Sequence, residues 1–305
     1  MIEHKSKKLV IITTVVALVI ICGVAFATWF FVIKDRGATK VEVTRIAFKP
    51  ENFVKPLDLT NEYQPLTPGM QLIRVGTTEV GSRKVPHQII STVTDVVRTI
   101  NGVQAIAVLD QSEDSGEIAQ VGIDYLAIDR ERNIWLLGGY AEDYEKGQYT
   151  NVDSAFIGTS TGAQVGILIP AVVTKDTPRW FIGSSGPTEE PSVAEPVSAS
   201  QNLKVAYGEF RNVRAVVEGA ATAIDNEIKY YAPGVGVIRN VPKDKSLHQD
   251  DFELANIVQL SPEGLAEASQ VVLDLEEHAK KVAPHVYGNV PKAQRLMTMP
   301  TTTKK

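Results

Sequence analysis

The segment Gly158-Thr159-Ser160-Thr161-Gly162 carries the residue pattern of a serine nucleophile. It matches G-x-S-x-G, the nucleophile elbow in which a sharp strand-to-helix turn lifts the serine hydroxyl above a parallel sheet. Acidic residues and histidines follow in the order that a triad requires: Asp225 or Asp251, then His278 or His285. Residues 163–170, however, contain a glycine, a proline and three β-branched residues, which disfavour the helix that must follow an elbow. A polar glycine turn is the preferred interpretation, and a serine hydrolase using Ser160 is the alternative function.

A second glycine pair, Gly234 and Gly236, follows Pro233 and resembles the start of a phosphate-binding loop. The dinucleotide fingerprint needs a third glycine where Arg239 stands, and a helix after it. Pro233 and Gly234 instead fit the central positions of a type II turn, because glycine adopts the positive φ that this turn requires. We therefore predict a connection between two strands, and no cofactor.

Metal-binding patterns are also incomplete. Asp110, Ser112 and Asp114 imitate the first half of a calcium loop, but its sixth and twelfth positions are Ser115 and Val121 instead of glycine and glutamate. These residues favour a solvated hairpin loop. The five histidines are scattered without an H-E-x-x-H pattern, and a single cysteine cannot form a disulfide or a thiolate cluster within one chain. No metal ligand is predicted.

Aromatic side chains are the remaining candidates for binding. Trp135, Tyr140, Trp180 and Tyr231 lie in β-prone segments and could line a groove for a ligand. Aromatic residues also fill the cores of β folds, because each ring buries a large apolar area. Both interpretations stay open, and these four residues form the predicted ligand-binding set.

The elements that would position these residues are mainly β. Short β-prone runs separated by turn residues extend from residue 70 to residue 259. Asn101-Gly102 is a two-residue hairpin signal, and short connections require antiparallel pairing. One helix is clear: Ser261 is a suitable N-cap, Pro262 suits the first position, and apolar residues then recur every three or four positions. The pattern predicts one strongly bent antiparallel sheet with a C-terminal helix packed on it.

The N-terminus has the features of a membrane anchor. The run from Leu9 to Ile33 has no charged residue and is roughly 25 residues long, against the ~20 needed to cross a bilayer. A cleaved signal peptide usually has a shorter apolar core of ~7–15 residues, and a lipoprotein signal would need a small residue where Ile21 precedes Cys22. We expect residues 1–36 to form an uncleaved anchor. Basic residues flank the run on both sides, so charge alone does not determine its orientation.

The rest of the chain divides by composition. We expect an exposed, proline-containing stalk at 37–64, one β domain at 65–290 and a disordered tail at 291–305. Residues 184–202 are rich in Pro, Ser and Glu, and are interpreted as a mobile loop inside the domain. A formal net charge of -5 on 305 residues supplies no basic field for nucleic acid.

Several segments in a fixed order resemble a family of uncharacterised secreted or membrane-anchored bacterial proteins of actinobacterial type. The matching segments are YQPLTPG at 63–69, residues 96–103 with their Asn-Gly turn, DYLAIDRERNIWLL at 124–137, VAYGEF at 205–210, YYAPGVGVIR at 230–239, and a C-terminal stretch that begins at Leu260 and ends in APHVYG. One departure is that Asn212 and Val213 stand where relatives often place a cysteine. The resemblance implies export and a curved antiparallel sheet similar to half of a LolA-like lipoprotein carrier. It implies no catalytic residues.

Taken together, these observations favour a non-catalytic, membrane-anchored binding module whose domain lies on the extracytoplasmic side of the membrane. Its expected partners are the membrane, through the run from Leu9 to Ile33, and an apolar ligand, a cell-wall component or an envelope protein. A purely structural envelope protein is a third interpretation. A deep cleft would favour the binding module over the structural protein, and helices on both sheet faces would favour the hydrolase.

Overall fold

The computed structural model describes residues 42–296, apart from 56, 159, 161, 223–225 and 245–249. The predicted anchor, with its apolar run from Leu9 to Ile33, lies outside these residues. Among the residues that are described, no helix is both long and apolar enough to span a bilayer.

Strands dominate the described part of the chain. They are β1 (Met70–Val80), β2 (Arg83–Ile100), β3 (Val103–Asp114), β4 (Glu117–Ile128), β5 (Ile134–Glu145), β6 (Gln148–Ile157), β7 (Gln164–Ile169), β8 (Trp180–Ser184), β9 (Ser192–Val205), β10 (Gly208–Ala220), β11 (Glu227–Ala232), β12 (Gly236–Pro242), β13 (Asp251–Gln259) and β14 (Gln294–Arg295). Two helices near the C-terminus are α1 (Pro262–Val282) and α2 (Pro284–Tyr287), and a short 3-10 turn lies at Pro50–Asn52.

The strands form one antiparallel sheet that closes on itself. Its order is β1-β13-β12-β11-β10-β9-β8-β7-β5-β4-β3-β2, and β1 also pairs with β2, which completes a ring of twelve strands. Strand β6 pairs with the second half of β5, and β14 pairs with β2. The prediction of a mainly β, antiparallel fold with a C-terminal helix is confirmed. The predicted bent sheet is a closed barrel instead, because β1 bonds to both β2 and β13.

The local turn predictions agree with the backbone. Asn101 and Gly102 join β2 to β3 with positive φ values of 49° and 79°, as a two-residue hairpin requires. Gly234 has a φ of 74°, and the amide of Val235 donates to the carbonyl oxygen of Ala232 at 3.2 Å. The Pro233-Gly234 segment is therefore a tight connection between β11 and β12, which are paired strands.

Helix α1 packs on the outer face of the sheet, mainly over β2. The Ser261 hydroxyl caps it by accepting from the amide of Gly264 at 3.2 Å. Val272, Leu275 and Ala279 are buried, and Leu265 is partly buried, so the predicted apolar face is confirmed. The same face also carries Glu276, a residue that the apolar spacing did not select.

A buried ion pair joins this helix to the sheet. The Arg98 guanidinium on β2 donates through Nε to Glu276 Oε1 at 2.7 Å, and the Tyr125 hydroxyl donates to the same oxygen. Arg98 and Glu276 are both almost completely buried. Removing one partner of such a pair would leave an uncompensated buried charge, so the pair sets the position of α1 on the sheet.

The predicted mobile loop at 184–202 is wrong from Ser192 onward. Residues 192–205 form β9, which pairs with β8 on one side and with β10 on the other. Val193 and Ala194 are buried there. The polar composition suggested a loop, but two neighbouring strands supply backbone hydrogen-bond partners for β9. Pro196 is accommodated because the register between β9 and β10 shifts close to it.

The predicted stalk also needs correction where the structure describes it. Phe53 forms an isolated bridge with Asp129, and the rings of Phe48 and Phe53 lie 5.5 and 6.0 Å from that of Trp135. Tyr63 is buried, and the Arg214 guanidinium lies 3.9 Å above its ring. This part of the segment packs on the sheet because its aromatic residues find apolar partners there.

The predicted tail is partly ordered. Gln294 and Arg295 pair with Val97 and Val96 of β2. The Arg295 guanidinium donates to both carboxylate oxygens of Asp95, at 2.9 and 2.7 Å. A bidentate pair of this kind is strong and directional, which explains why the tail prediction is wrong for these residues. Residues 297–305 lie outside the described part.

Candidate functional site

A cavity of about 260 Å³ lies inside the ring of strands. Successive side chains of β4 point to opposite faces of the sheet. Asp124 lines the cavity, whereas Tyr125 points to the outer face and contacts Glu276 of α1. The apolar part of the wall includes Leu72, Ile89, Val108, Leu126, Val237 and Phe252. Four carboxylates and two cations also line it, namely Asp110, Asp124, Glu227, Asp250, Arg74 and Lys229. The cavity therefore combines an apolar wall with a cluster of charges.

Arg74, on β1, is one of the two cations. It is 7% exposed, donates to the Ser91 hydroxyl and lies 3.6 Å from Asp110. Its guanidinium also lies 5.3 Å from the centre of the Phe252 ring. Burial lowers the pKa of Arg74, and the nearby Asp110 carboxylate only partly opposes this effect. Asp110 is thus the acidic partner of Arg74.

Lys229, on β11, is the second cation. Its Nζ lies 2.9 Å from Glu218 Oε2 on β10, and the hydroxyl of Tyr231 donates to the other oxygen of that carboxylate at 2.5 Å. The Glu218 carboxylate raises the pKa of Lys229, and burial opposes it. The Lys229 side chain is 32% exposed although strands surround it, because its accessible surface faces the cavity. Glu218 is therefore the acidic partner of Lys229.

Asp124 lacks such a partner. No described residue donates a hydrogen bond to its carboxylate, which lies over Gly139 of β5; a Cβ at that glycine would be 3.3 Å from Asp124 Oδ1. Burial raises the pKa of Asp124 to about 7, with further raising by Asp110 and Glu218 and a lowering contribution from Lys229. Asp124 therefore titrates near neutral pH.

Glu227 shares this environment. Burial raises the pKa of its carboxyl group, and the charge of Lys229 opposes the rise. Because Lys229 already pairs with Glu218, it cannot fully compensate Glu227 and Asp124 as well. The cavity holds more negative charge than its two cations neutralise.

The acids at one end of the cavity are accessible from solvent. The side chains of Asp110 and Asp250 are 41% and 33% exposed. Buried His87 lies beside this end, with Nδ1 2.7 Å from Asp114 and Nε2 3.5 Å from Asp250.

A second pocket, on the outer surface, has a different character. It has a volume of about 400 Å³ and is mostly apolar, with Ile46, Val172, Trp180 and Phe181 among its lining residues. Ile46 and Val172 are 56% and 72% exposed. The guanidinium of Arg45 lies 3.9 Å above the Phe181 ring. This pocket suits an apolar group rather than a charged one.

The four predicted ligand-binding aromatics do not meet in one groove. Tyr231 lines the interior cavity and Trp180 lines the outer pocket. Trp135 is buried against the rings of Phe48 and Phe53, and its Nε1 donates to Asp129 Oδ2 at 2.8 Å. Tyr140 is buried on the helix side, where its hydroxyl donates to Glu142 at 2.5 Å. Binding by Tyr231 and Trp180 stays a prediction, whereas Trp135 and Tyr140 have structural partners.

Ser160 does not stand on a strand-to-helix elbow. Its hydroxyl donates to the carbonyl oxygen of Ile157 at 2.5 Å, within the turn that follows β6. The next element is strand β7, and β7 belongs to an antiparallel sheet. The local geometry is that of a glycine-containing turn between two strands.

The imitation calcium loop is corrected as well. Asp110, Ser112 and Asp114 lie on strand β3 and not in a hairpin loop, and the first two line the interior cavity. The sequence interpretation missed Arg74, Asp124 and Lys229 for a related reason. Each is a charged residue inside a β-prone run, and that pattern is the signal that could have identified them.

The comparisons with known proteins are weak. No family model matches the chain, and no curated protein matches it. A protein from Bacteroides fragilis, described as exported and as having a YmcC-like fold, is 11% identical; the match covers 65% of this chain and 100% of that one, with a TM-score of 0.37. A protein from Parabacteroides distasonis, described as a lipoprotein, is 13% identical, with 65% and 99% covered and a TM-score of 0.37. A likeness at this level carries no argument about function.

Proposed function

We propose that this protein is a membrane-anchored, extracytoplasmic binding module that holds a small ligand inside its ring of strands. The observation that carries the proposal is the interior cavity, which combines an apolar wall with four carboxyl groups and two cationic side chains. At about 260 Å³ it lies just below the range of roughly 300–1,000 Å³ that is typical of small-molecule sites. The ligand is therefore small and carries a polar or charged group.

The chemistry of the lining decides between the ligand classes expected from the sequence. A purely apolar ligand would leave the carboxylates of Asp124 and Glu227 desolvated and unpaired, which is unfavourable. A soluble fragment of a cell-wall component or another small polar metabolite of the envelope fits better. An envelope protein would have to bind elsewhere, and the outer pocket beside Ile46 is the apolar surface available to it.

Ligand retention tests the interior site. Native mass spectrometry of the full-length chain, purified from the membranes of its own host, should detect a bound small molecule. Ser112→Phe places a ring in the cavity and should abolish the adduct. Ser154→Phe, at an exposed position of β6, is the matched control and should retain it. An adduct that survives Ser112→Phe, or no adduct on the wild type, would contradict the interior site.

The anchored, outward-facing arrangement depends on the apolar run from Leu9 to Ile33 and is tested separately. Protease added to intact protoplasts should digest the β domain and leave a cytoplasmic marker protein intact. The N-terminus of the mature protein should still precede Leu9. A protected domain, or an N-terminus near Thr28, would show that the arrangement is wrong.

A further inference from the structure

Each cation that lines the cavity already has a carboxylate partner: Asp110, which also lines the cavity, and Glu218, which lies beside it. Arg74 lies beside Asp110, with the Ser91 hydroxyl between them, and Lys229 forms its ion pair with Glu218. Asp124 and Glu227 line the same cavity on β4 and β11. Neither has a cation of its own among the described residues. A positive charge is therefore missing from this part of the cavity.

The apolar wall restricts the kind of cation that could supply the charge. Leu72, Val108, Leu126 and Phe252 share the cavity with the carboxylates. A divalent metal ion prefers a complete shell of oxygen ligands, which an apolar wall cannot provide. A protonated amine on a hydrocarbon chain matches both parts of the lining, because its carbon atoms pack on the apolar wall and its N–H groups donate to the carboxylates.

We propose, building on the interior site proposed above, that the cavity binds a small aliphatic amine whose ammonium groups lie at Asp124 and Glu227. The two acids stand on different strands, β4 and β11, and both line the cavity. A diamine offers one ammonium group to each of these carboxylates. An anionic ligand is disfavoured, because it would add negative charge to a cavity that already has an excess.

Binding of the amine is coupled to a proton. With its pKa near 7, Asp124 is half protonated in the empty cavity at neutral pH. The charged groups near Asp124 are Asp110 on β3, Glu218 on β10 and Lys229 on β11. An added cation shifts the balance toward the ionised form of Asp124. The amine therefore releases a proton near pH 7, and its affinity rises with pH until Asp124 is fully ionised.

Calorimetric titration with 1,5-diaminopentane tests the proposal on the full-length chain in an uncharged detergent. The dissociation constant should fall by about tenfold between pH 6 and pH 8, because the ionised fraction of a group with a pKa near 7 rises by that factor. Hexanoate, an anion of similar length, and 1-pentanol, a neutral analogue, should bind at least tenfold more weakly.

Two variants locate the ammonium site. Asp124→Asn should weaken diamine binding at pH 8 by at least tenfold and remove its pH dependence, and Glu227→Gln should weaken it without removing that dependence. Asp176→Asn, which changes an exposed carboxylate outside the cavity, is the matched control and should bind as the wild type does. Diamine binding that Asp124→Asn leaves unchanged would overturn the inference.

The remaining outcomes separate this inference from the proposed function. Preferred binding of hexanoate, of pentanol or of Mg²⁺ would overturn the amine assignment. A protein that binds no diamine would also overturn the amine assignment. If that protein still retains a host-derived adduct that Ser112→Phe removes, the proposed interior site is still supported. If neither a host-derived adduct nor diamine binding is found, both proposals are wrong.

Discussion

Asp124 is a carboxylate that faces the interior cavity without a hydrogen bond from any described residue. Its neighbours Asp110 and Glu218 repel its charge, and Lys229 offsets only part of that repulsion because it is paired with Glu218. An unfolded aspartate ionises near pH 4, whereas folded Asp124 holds its proton until about pH 7. Between about pH 4 and pH 7, the folded protein therefore binds more protons than the unfolded chain. The contribution of Asp124 to stability decreases as pH rises through this window.

Asp124→Asn should stabilise the protein because it removes the free-energy cost of ionising Asp124 in the folded state. At pH 8 we expect the free energy of unfolding to rise by about 1–4 kcal/mol, with a smaller gain at pH 5. Thermal unfolding of the full-length chain in uncharged detergent, followed by tryptophan fluorescence, measures the effect. Asp176→Asn is the control and should leave the free energy of unfolding unchanged at both pH values. A variant that is no more stable than the wild type at pH 8 would show that Asp124 is compensated in the folded state.

Ser160 is the other residue whose role can be tested directly. Its hydroxyl is hydrogen-bonded to the backbone of Ile157, and a strand follows the turn. We expect a fluorophosphonate probe to leave the folded protein unlabelled, with a known serine hydrolase labelled in parallel. Stoichiometric labelling at Ser160 that Ser160→Ala abolishes would restore the hydrolase interpretation.

At the scale of the elements, helix α1 is part of the core and not an appendage. Its inner face buries Val272, Leu275 and Ala279 against the sheet, and the Arg98–Glu276 ion pair holds it in place. Its outer face, with Glu263, Glu267, Gln270 and Lys281, is exposed. The two faces should therefore respond very differently to substitution.

Leu275→Ala should lower the free energy of unfolding by ~2–4 kcal/mol, because it leaves a cavity beside residues that cannot collapse into it. Leu275→Asp should cost more, since an unpaired carboxylate would be buried there. Glu267→Ala is the control and should stay within about 0.5 kcal/mol of the wild type. Urea unfolding of the full-length chain in detergent measures all three. An unchanged midpoint for Leu275→Asp would mean that α1 is not packed on the sheet.

For the whole molecule, closure of the sheet depends on close contact between β1 and both of its neighbours. Gly76 pairs with Phe252 of β13 on one side and with His87 of β2 on the other. A Cβ at Gly76 would lie 1.9 Å from the carbonyl oxygen of Asp251 and 2.5 Å from Phe252 Cα, and both of these are backbone atoms. No side chain can therefore be added there without moving β13 away from β1.

Gly76→Ala should destabilise the protein by about 1–3 kcal/mol or more, as overpacked sites do. It should also weaken ligand binding, because Arg74 and Phe252 line the cavity next to this contact. Gly208→Ala is the matched control: Gly208 is also in a strand, but nothing lies within 4 Å of the position of its Cβ. Thermal unfolding and the diamine titration provide the two measurements. Equal stability and equal diamine affinity of the two variants would show that the contact between β1 and β13 at Gly76 is not needed to close the ring.

The sequence by itself determined two turns, the start of helix α1 and the mainly antiparallel β class of this protein. Asn101-Gly102, Pro233-Gly234 and the Ser261-Pro262 helix start were predicted correctly because turns and caps depend on the backbone preferences of adjacent residues. The apolar face of α1 and the antiparallel class followed from periodicity and short connections. The apolar run from Leu9 to Ile33 supports the anchor by length alone, and this stays a prediction.

Only the tertiary structure decided where the charges meet. Asp124, Lys229 and Arg74 come from β4, β11 and β1, which surround one cavity only because the sheet closes between β1 and β2. The same long-range pairing makes a strand of the polar residues 192–205, by placing β8 and β10 on either side of them. The pKa of Asp124 depends on burial and on charges from other strands. Such effects arise between residues that are far apart in the chain, so local patterns could not reveal them.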